Sequence, residues 1–204
     1  TMVSALYPQY FLPLEEYPPE VRQYLEYHPD RAKQLLAEAG FPRGFTTEIT
    51  ATPLRRTELA IAESMVGFLK EVGIEAKLTP LSYTEWTGVV LQNKYPALGA
   101  GPADAYPLDR VWEGTHSKAG IRNRAYINDP QIDRIMDETR RERDEARRKQ
   151  LFRDFQIRMA QQAYMLNFPL APFAAFAQPQ VQNLTYKGYS AHYGDFVYKI
   201  WLDR

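Results

Sequence analysis

The chain has 204 residues, 45% of them hydrophobic and 25% charged, which is the composition of an ordinary globular domain. Lys and Arg together number 25, as do Asp and Glu, so the formal net charge is zero and we expect no nucleic-acid partner. The absence of cysteine excludes a disulfide, a thiolate nucleophile and a zinc–thiolate site. No apolar run approaches the roughly 20 residues that span a bilayer. Residues 1–10 do not resemble a secretion signal, so we expect any export signal to lie outside this sequence.

The first 27 residues carry four prolines among several tyrosines. Proline fixes the backbone and disfavours helix, so this stretch predicts an extended arm with a short helical turn near 20–24. Because the arm is rich in apolar side chains, we expect it to pack against something.

Helices and strands then alternate along the chain. Pro29 suits the first position of a helix and Gly40 its end, while the β-rich residues 45–51 predict a strand. The same signals predict the elements that follow: a helix over 57–72, a strand over 74–80, a helix over 84–93 capped by Ser82 or Thr84, and a strand over 95–99. This order predicts crossover units and a largely parallel sheet.

The second half of the chain begins with a long stretch, 100–124, broken by glycine and proline, which we expect to be an irregular, functional or mobile loop. Two further helices are predicted, over 130–140 after Asn128 or Asp129 as cap and over 145–163 after Asp144. The basic run 140–148 is interleaved with acidic residues, which indicates a solvated helix face. Residues 163–176 are broken by proline, and 181–204 predict a tail ending in a strand or docking arm.

Five segments carry a family resemblance. Residues 27–41 read Tyr-His-Pro-Asp-Arg-Ala-Lys-Gln-Leu-Leu-Ala-Glu-Ala-Gly-Phe, residues 69–76 read Leu-Lys-Glu-Val-Gly-Ile-Glu-Ala, and residues 126–133 read Tyr-Ile-Asn-Asp-Pro-Gln-Ile-Asp. Together with 83–86 and 168–172, these segments in this order resemble the peptide- and nickel-type (family 5) extracellular solute-binding proteins of ABC importers. The resemblance covers the C-terminal part of such proteins, which is one lobe of a two-lobed clamp and a tail.

The resemblance implies an α/β fold: a periplasmic-binding-protein-like lobe with a mixed sheet flanked by helices. We expect an extended arm or hinge segment over 1–27, the ligand-binding lobe over 28–176, and a tail over 177–204 that returns toward the other lobe. The implied function is the non-covalent capture of a small solute, such as an oligopeptide, between two lobes. The implied partners are a membrane permease and the N-terminal lobe, the implied location is periplasmic or extracellular, and anchoring through the missing N-terminus stays open.

The candidate ligand residues lie in or after the 100–124 stretch. In the resembled family an Asp of this loop pairs with the α-amino group of a peptide, and Asp104 occupies the matching position, although the Trp that precedes it in the family is absent here. Tyr106 and Trp112 are candidates for an aromatic wall, or else for anchors that pack the loop on the core. Arg122 with Asn123 would suit a carboxylate or phosphate, or else Arg122 is an exposed loop residue.

Other classes of site have weaker support in the sequence. The chain has three histidines, His28, His116 and His192. They show none of the spacings typical of metal ligands, so we expect no metal and no cofactor. Trp86 is interpreted as a packing residue, and Asp133 with Asp137 as a polar helix face. No nucleophile elbow, phosphate loop or dinucleotide fingerprint is present. An enzyme domain of α/β type is therefore the less favoured alternative, and a protein-interaction module using the aromatic arm and tail is the other.

Overall fold

The structure is a computed structural model. It describes residues 3, 7–53, 56–92, 94–95, 98–100, 108–166, 178–182 and 201–202, and within these only the backbone of 56–58, 98–100, 108–110 and 121–122. The described α-helices are α1 (Pro19–Arg22), α2 (Pro29–Glu38), α3 (Arg56–Glu71), α4 (Tyr83–Leu91), α5 (Leu108–Thr115), α6 (Pro130–Arg141) and α7 (Glu145–Gln162). The described strands are β1 (Phe45–Ala51), β2 (Ile74–Pro80), β3 (Leu98–Ala100), β4 (Val181–Gln182) and β5 (Trp201–Leu202), and two short 3₁₀ segments span Leu14–Glu16 and Ser117–Arg122.

The sheet has the order β2-β1-β3, and both pairs of strands are parallel. Phe45 lies opposite Ile74, and the register continues to Ala51 opposite Pro80. The predicted alternation of helix and strand and the parallel pairing are confirmed. β4 and β5 form a separate antiparallel pair, so within the described residues the main sheet itself is wholly parallel.

Two glycines bring the starts of β1 and β2 together. Gly44 and Gly73 have φ of +71° and +90°, a left-handed conformation that side chains other than glycine rarely adopt. A Cβ atom on Gly44 would lie 1.8 Å from the carbonyl oxygen of Gly73. The predicted stop at Gly73 is therefore also a point of close backbone approach.

The two faces of the sheet differ. α3 covers one face, where Ile49, Ala51, Ala62 and Met65 form a buried cluster. The opposite face carries polar side chains, and the Thr79 hydroxyl donates a hydrogen bond to Glu48 there. Parallel sheets usually have both faces buried. This sheet instead presents a polar face, on which Thr46, Glu75 and Lys77 are exposed.

A second core joins the N-terminal arm to α5, α6 and α7. It contains the fully buried side chains of Phe152 and Phe155 and, from the arm, Tyr10. Buried Gln156 fixes the arm through its side-chain amide, which accepts a hydrogen bond from Leu12 N at 3.1 Å and donates one to Tyr10 O at 2.9 Å. The expectation that the apolar arm is packed is confirmed, and the surface that it packs on belongs to this chain's own helices.

The prediction of a long irregular stretch over 100–124 is wrong for its second half, which contains α5 and the 3₁₀ segment Ser117–Arg122. Gly114 and Gly120 masked this helix in the sequence, because glycine is a poor helix former. Its formation is favoured by tertiary packing, since Val111 and Thr115 are fully buried.

Helix boundaries elsewhere agree closely with the sequence. Ser82 is the cap of α4 and Asp129 the cap of α6, which decides between the alternatives left open at both positions. Residues 167–177 and most of the tail lie outside the described residues, so the predictions made for them stay predictions. No helix in the described ranges combines the length and apolar character that crossing a bilayer requires.

Candidate functional site

The carboxyl end of β2 leads directly into the start of α4, and the carboxyl end of β1 lies beside it. Leu81 N donates a hydrogen bond to Ala51 O at 2.8 Å, which holds the two strand ends together. Ser82 and Glu85 then form a reciprocal capping box, and the hydrogen bonds from Ser82 lower the pKa of Glu85. Ligands of open α/β sheets bind outside the carboxyl ends of the strands, so the first turn of α4 is the place to look for a site.

Three side chains meet there, which we name the aromatic–arginine cluster: Tyr83, Trp86 and Arg124. The rings of Tyr83 and Trp86 are stacked with centroids 6.3 Å apart and 17° between their planes. The Arg124 guanidinium carbon lies 5.6 Å from the centroid of the Trp86 ring, within the range of a cation–π contact. The cluster therefore combines a stacked aromatic surface with a fixed positive charge.

Burial differs within the aromatic–arginine cluster. Trp86 is 3% exposed, which confirms that it packs, whereas Tyr83 is 47% exposed. In the part of the chain that the structure describes, the Trp86 indole N–H finds no hydrogen-bond acceptor, although such buried donors usually have one. The cluster thus offers one open aromatic ring and one buried, unused donor.

Two tyrosines hold the segment of Arg124 against α4. Tyr126 OH donates to Val90 O at 2.8 Å, and Tyr95 OH donates to Arg124 O at 3.0 Å. Burial, and then the neighbouring Tyr126, raise the pKa of Tyr95, so its hydroxyl keeps its proton. Tyr126 has a positive φ of 51°, which is uncommon for a residue other than glycine. These contacts fix the backbone at Arg124 and just after it.

The sequence prediction did not include the aromatic–arginine cluster. The usable signal was the pair Tyr83 and Trp86, three residues apart at the start of a helix that follows a parallel strand. Arg124 had no such signal, because its approach to Trp86 depends on how residues 116–127 fold back on α4.

Of the predicted ligand residues, Asp104 and Tyr106 lie outside the described residues. Arg122 ends the 3₁₀ segment, and its side chain is likewise outside the description. The ligand roles assigned to these three residues therefore stay predictions.

Trp112 makes the contacts of an anchor. Its ring stacks on His116 with centroids 4.4 Å apart, and its indole N–H donates to Asp137 Oδ1 at 3.0 Å. This hydrogen bond is the main cause that lowers the pKa of Asp137. The Arg140 guanidinium carbon also lies 4.6 Å from the Trp112 ring centroid. These contacts fasten α5 to α6, and a contact between Trp112 and a ligand stays a prediction.

Asn123 is buried and bonds within its own loop. Its side-chain oxygen accepts from Ile127 N at 3.0 Å, while its side-chain nitrogen donates to Ile127 O at 2.7 Å and to His116 O at 3.3 Å. Trp112 and Asn123 therefore meet through His116. Contact of Asn123 with a ligand stays a prediction, and the residue next to it, Arg124, is the one that reaches the aromatic–arginine cluster.

Asp133 and Asp137 share one face of α6, as predicted, and that face binds the segment before it. Asp133 accepts hydrogen bonds from both the backbone N–H, at 2.8 Å, and the hydroxyl of Ser117. His116, between the two carboxylates, is 2% exposed. No group of three or more histidine, aspartate and glutamate side chains is placed to hold a metal ion within the described ranges.

A groove of about 290 Å³ lies between α6 and α7, away from the candidate site. Its lining consists of Gln131, Arg134, Ile135, Glu138, Arg147, Leu151 and Asp154. It shares no residue with the aromatic–arginine cluster and has no aromatic wall. We therefore do not assign it to the ligand.

Comparison with known proteins identifies the family. Residues 1–111 match the model of the bacterial extracellular solute-binding proteins, family 5, middle region. Heme-binding protein A of Haemophilus influenzae is 29% identical over 87% of this chain, and glutathione-binding protein GsiB of Pectobacterium atrosepticum is 26% identical over 64% of it. The aligned regions are 34% and 27% of the lengths of those relatives.

The solved structure of HbpA2 from Haemophilus parasuis superposes on this fold with a TM-score of 0.62 and 25% identity. The match covers 72% of this chain and 30% of that one. The expected periplasmic-binding-protein-like α/β lobe is thereby confirmed. Because the family model covers more than half of its residues, the chain belongs to the bacterial extracellular solute-binding proteins, family 5.

Proposed function

We propose that this chain is one lobe of the substrate-binding component of an ABC importer, which captures a small solute between two lobes and delivers it to a membrane permease. Membership of family 5 supports this proposal, as do relatives named for binding heme and glutathione. Closure of two lobes takes its free energy from a ligand that contacts both. We further propose a periplasmic or extracellular location and no catalytic activity of its own.

The solute that fits the aromatic–arginine cluster carries a carboxylate beside a flat or apolar group. The observation that carries this assignment is Arg124, held over Trp86 at the carboxyl edge of the sheet while Tyr83 stays half exposed. A guanidinium binds carboxylates with two parallel hydrogen bonds, and an open aromatic ring stacks on planar or apolar groups. Heme and glutathione, which the names of two relatives contain, both carry carboxylates.

Chemical-shift mapping tests this assignment, since it detects even the weak binding expected of a single lobe. The 204-residue chain would be titrated with hemin, with reduced glutathione, with a dipeptide and with a neutral disaccharide. We expect at least one of the acidic solutes to shift the Trp86 indole N–H and the Tyr83 amide, and the disaccharide to shift neither.

Two variants sharpen the test. Arg124→Gln should abolish the shifts, because it removes the charge and keeps a polar side chain. Arg153→Gln is the matched control. Arg153 lies on α7 and pairs with Glu16 of the arm, so its substitution should leave solute binding unchanged. Equal binding of the disaccharide, or full binding by Arg124→Gln, would contradict a carboxylate at this cluster.

Asp104 is proposed, from the resemblance alone, to pair with a ligand ammonium group. A dipeptide and its N-acetylated form separate this role from that of Arg124, because acetylation removes only the positive charge. If Asp104 acts as proposed, Asp104→Asn weakens binding of the free dipeptide and leaves the acetylated one unaffected. Tyr106, Trp112, Arg122 and Asn123 would be compared in the same titrations.

The alternative of an interaction module receives less support. It requires the aromatic arm to be free, whereas Tyr10, Leu12, Tyr17 and Val21 of that arm are buried in the chain's own core. The tail, which was the other half of that alternative, lies largely outside the described residues.

A further inference from the structure

His116 is a buried histidine that the proposed function does not use. It follows α5, its ring stacks on Trp112, and the two carboxylates Asp133 and Asp137 of α6 lie on either side of it. Histidine is the side chain that most readily changes charge near neutral pH. A buried imidazole between two carboxylates is therefore a place to look for coupling between the local structure and protonation.

The hydrogen bonds define one protonation state. Nδ1 of His116 accepts a hydrogen bond from the backbone N–H of Lys118 at 3.0 Å, so Nδ1 carries no proton in this arrangement. Nε2 lies 3.5 Å from Asp137 Oδ1 and, among the described residues, makes no hydrogen bond. The structure thus shows a neutral imidazole whose second nitrogen faces a carboxylate beyond normal bonding distance.

Protonation makes this arrangement impossible. A protonated Nδ1 is a donor and cannot accept from the Lys118 N–H, so the two hydrogens would face each other. Asp133 Oδ1, 3.6 Å from Nδ1, can accept the new proton. Asp137 Oδ1, 3.5 Å from Nε2, can accept from that nitrogen. A small rotation of the ring would replace one neutral hydrogen bond by two charge-assisted ones.

We propose that His116 is a proton-operated catch, whose protonation releases the Lys118 amide and binds the imidazolium to Asp133 and Asp137. The 3₁₀ segment Ser117–Arg122 then has two arrangements, one for each charge state. Gly120, with a φ of +61°, interrupts this segment and can absorb the change in the backbone.

The side chains around the catch come from three elements, two of which supply charged groups. α6 supplies Asp133 and Asp137 together with Arg140, which lies against Trp112, and Arg141, which also favours the charged form of Asp137. The 3₁₀ segment supplies Lys118, which acts on Asp137 in the same sense. α5 contributes the uncharged Trp112 to the ring stack.

The catch is connected to the aromatic–arginine cluster by the chain itself. The carbonyl oxygen of His116 accepts from the Asn123 side chain at 3.3 Å, and Arg124 follows Asn123 directly. A movement of His116 therefore reaches the residue that contacts Trp86. Where the proposed function holds, solute affinity should change with pH in step with this histidine.

The test follows the Lys118 amide by hydrogen exchange and the His116 ring by nitrogen NMR, with no solute present. Between about pH 8 and about pH 5, we expect the protection factor of the Lys118 amide to fall about fivefold, the effect of losing one hydrogen bond. Over the same range, Nδ1 of His116 should change from the shift of an unprotonated to that of a protonated nitrogen. Both changes should have the same midpoint.

The variants distinguish the catch from a general effect of acid. His116→Asn keeps an acceptor at the position of Nδ1 but cannot be protonated, so Lys118 protection should become independent of pH. His28→Asn, which changes an exposed histidine beside Glu26, should behave as the wild type. Protection that stays constant in the wild type, or falls equally in His116→Asn, would overturn the proposal. If His116→Asn does not fold, different midpoints for ring and amide in the wild type overturn it as well.

Discussion

Nε of Arg158 lies 2.7 Å from Oδ2 of Asp129. This one carboxylate contacts both the start of α6 and the last turns of α7. Oδ1 of Asp129 accepts from the N–H of Gln131 at 2.8 Å and so caps α6, while Oδ2 also accepts from Tyr164 OH at 3.1 Å. Arg158 lies in α7, and Tyr164 comes shortly after the end of that helix. The start of α6 and the end of α7 are therefore joined through a single buried side chain.

Asp129→Ala should destabilise the fold by about 2–3 kcal/mol, because it removes a helix cap and the partner of Arg158 together. Arg158 is partly exposed and can turn to water, which limits the loss. Urea unfolding of the two proteins measures the difference. Asp154→Ala, in an exposed position on α7, is the matched control and should change stability by less than about 0.5 kcal/mol. Equal losses in the two variants would contradict the role of Asp129.

Acid should remove the contribution of Asp129. Burial on its own would raise the pKa of this carboxyl, but the hydrogen bonds from Arg158, Gln131 N and Tyr164 outweigh it and hold the pKa below its usual 3.8. A lowered folded-state pKa contributes stability that is present above pH 3.8 and is lost as the pH falls through the folded-state value. Unfolding free energies measured from pH 6 downward should fall less steeply in Asp129→Asn than in the wild type. Parallel curves would refute this assignment.

Gly44 and Gly67 should respond in opposite directions to alanine. Gly44→Ala places a Cβ 1.8 Å from Gly73 O and requires a positive φ, so we expect a loss of several kcal/mol. Gly67 lies in α3 with no atom within 4 Å of a new Cβ, and Gly67→Ala should stabilise the helix by about 0.5–1 kcal/mol. Thermal melts of both variants measure these two changes in stability. A tolerated Gly44→Ala would mean that the starts of β1 and β2 are farther apart.

Gln156→Leu should release the N-terminal arm. The substitution keeps the approximate volume but leaves Leu12 N and Tyr10 O buried without their partner, at a cost of about 3 kcal/mol. Limited proteolysis with mass-spectrometric mapping should show new cleavage within residues 7–22. Gln150→Leu makes the same change at an exposed position of α7 and should leave the arm protected. Cleavage of the arm in neither variant would indicate that its apolar contacts alone hold it.

Local signals in the sequence predicted the sheet unit, meaning β1, α3 and β2, well. β1 and β2 have the bounds read from the sequence, since each lies between a glycine turn and a helix with an apolar stripe. α5 was missed because its stability comes from burying Val111 and Thr115, which no local pattern reveals. The candidate site shows the same division between features that local signals predict and features that depend on tertiary packing. Trp86 was correctly interpreted as a packing residue, whereas the contact with Arg124 joins positions that only tertiary structure brings together.

The hydrogen bond between Leu12 and Gln156 joins positions 144 residues apart, with the whole sheet unit between them. On a ribosome the arm emerges before β1, α3 and β2, which can find one another soon after synthesis because their contacts are near in sequence. The arm must wait until α7 has left the exit tunnel. Its apolar side chains are thus made before the sheet strands and covered after them, which makes the arm a segment that needs protection during translation.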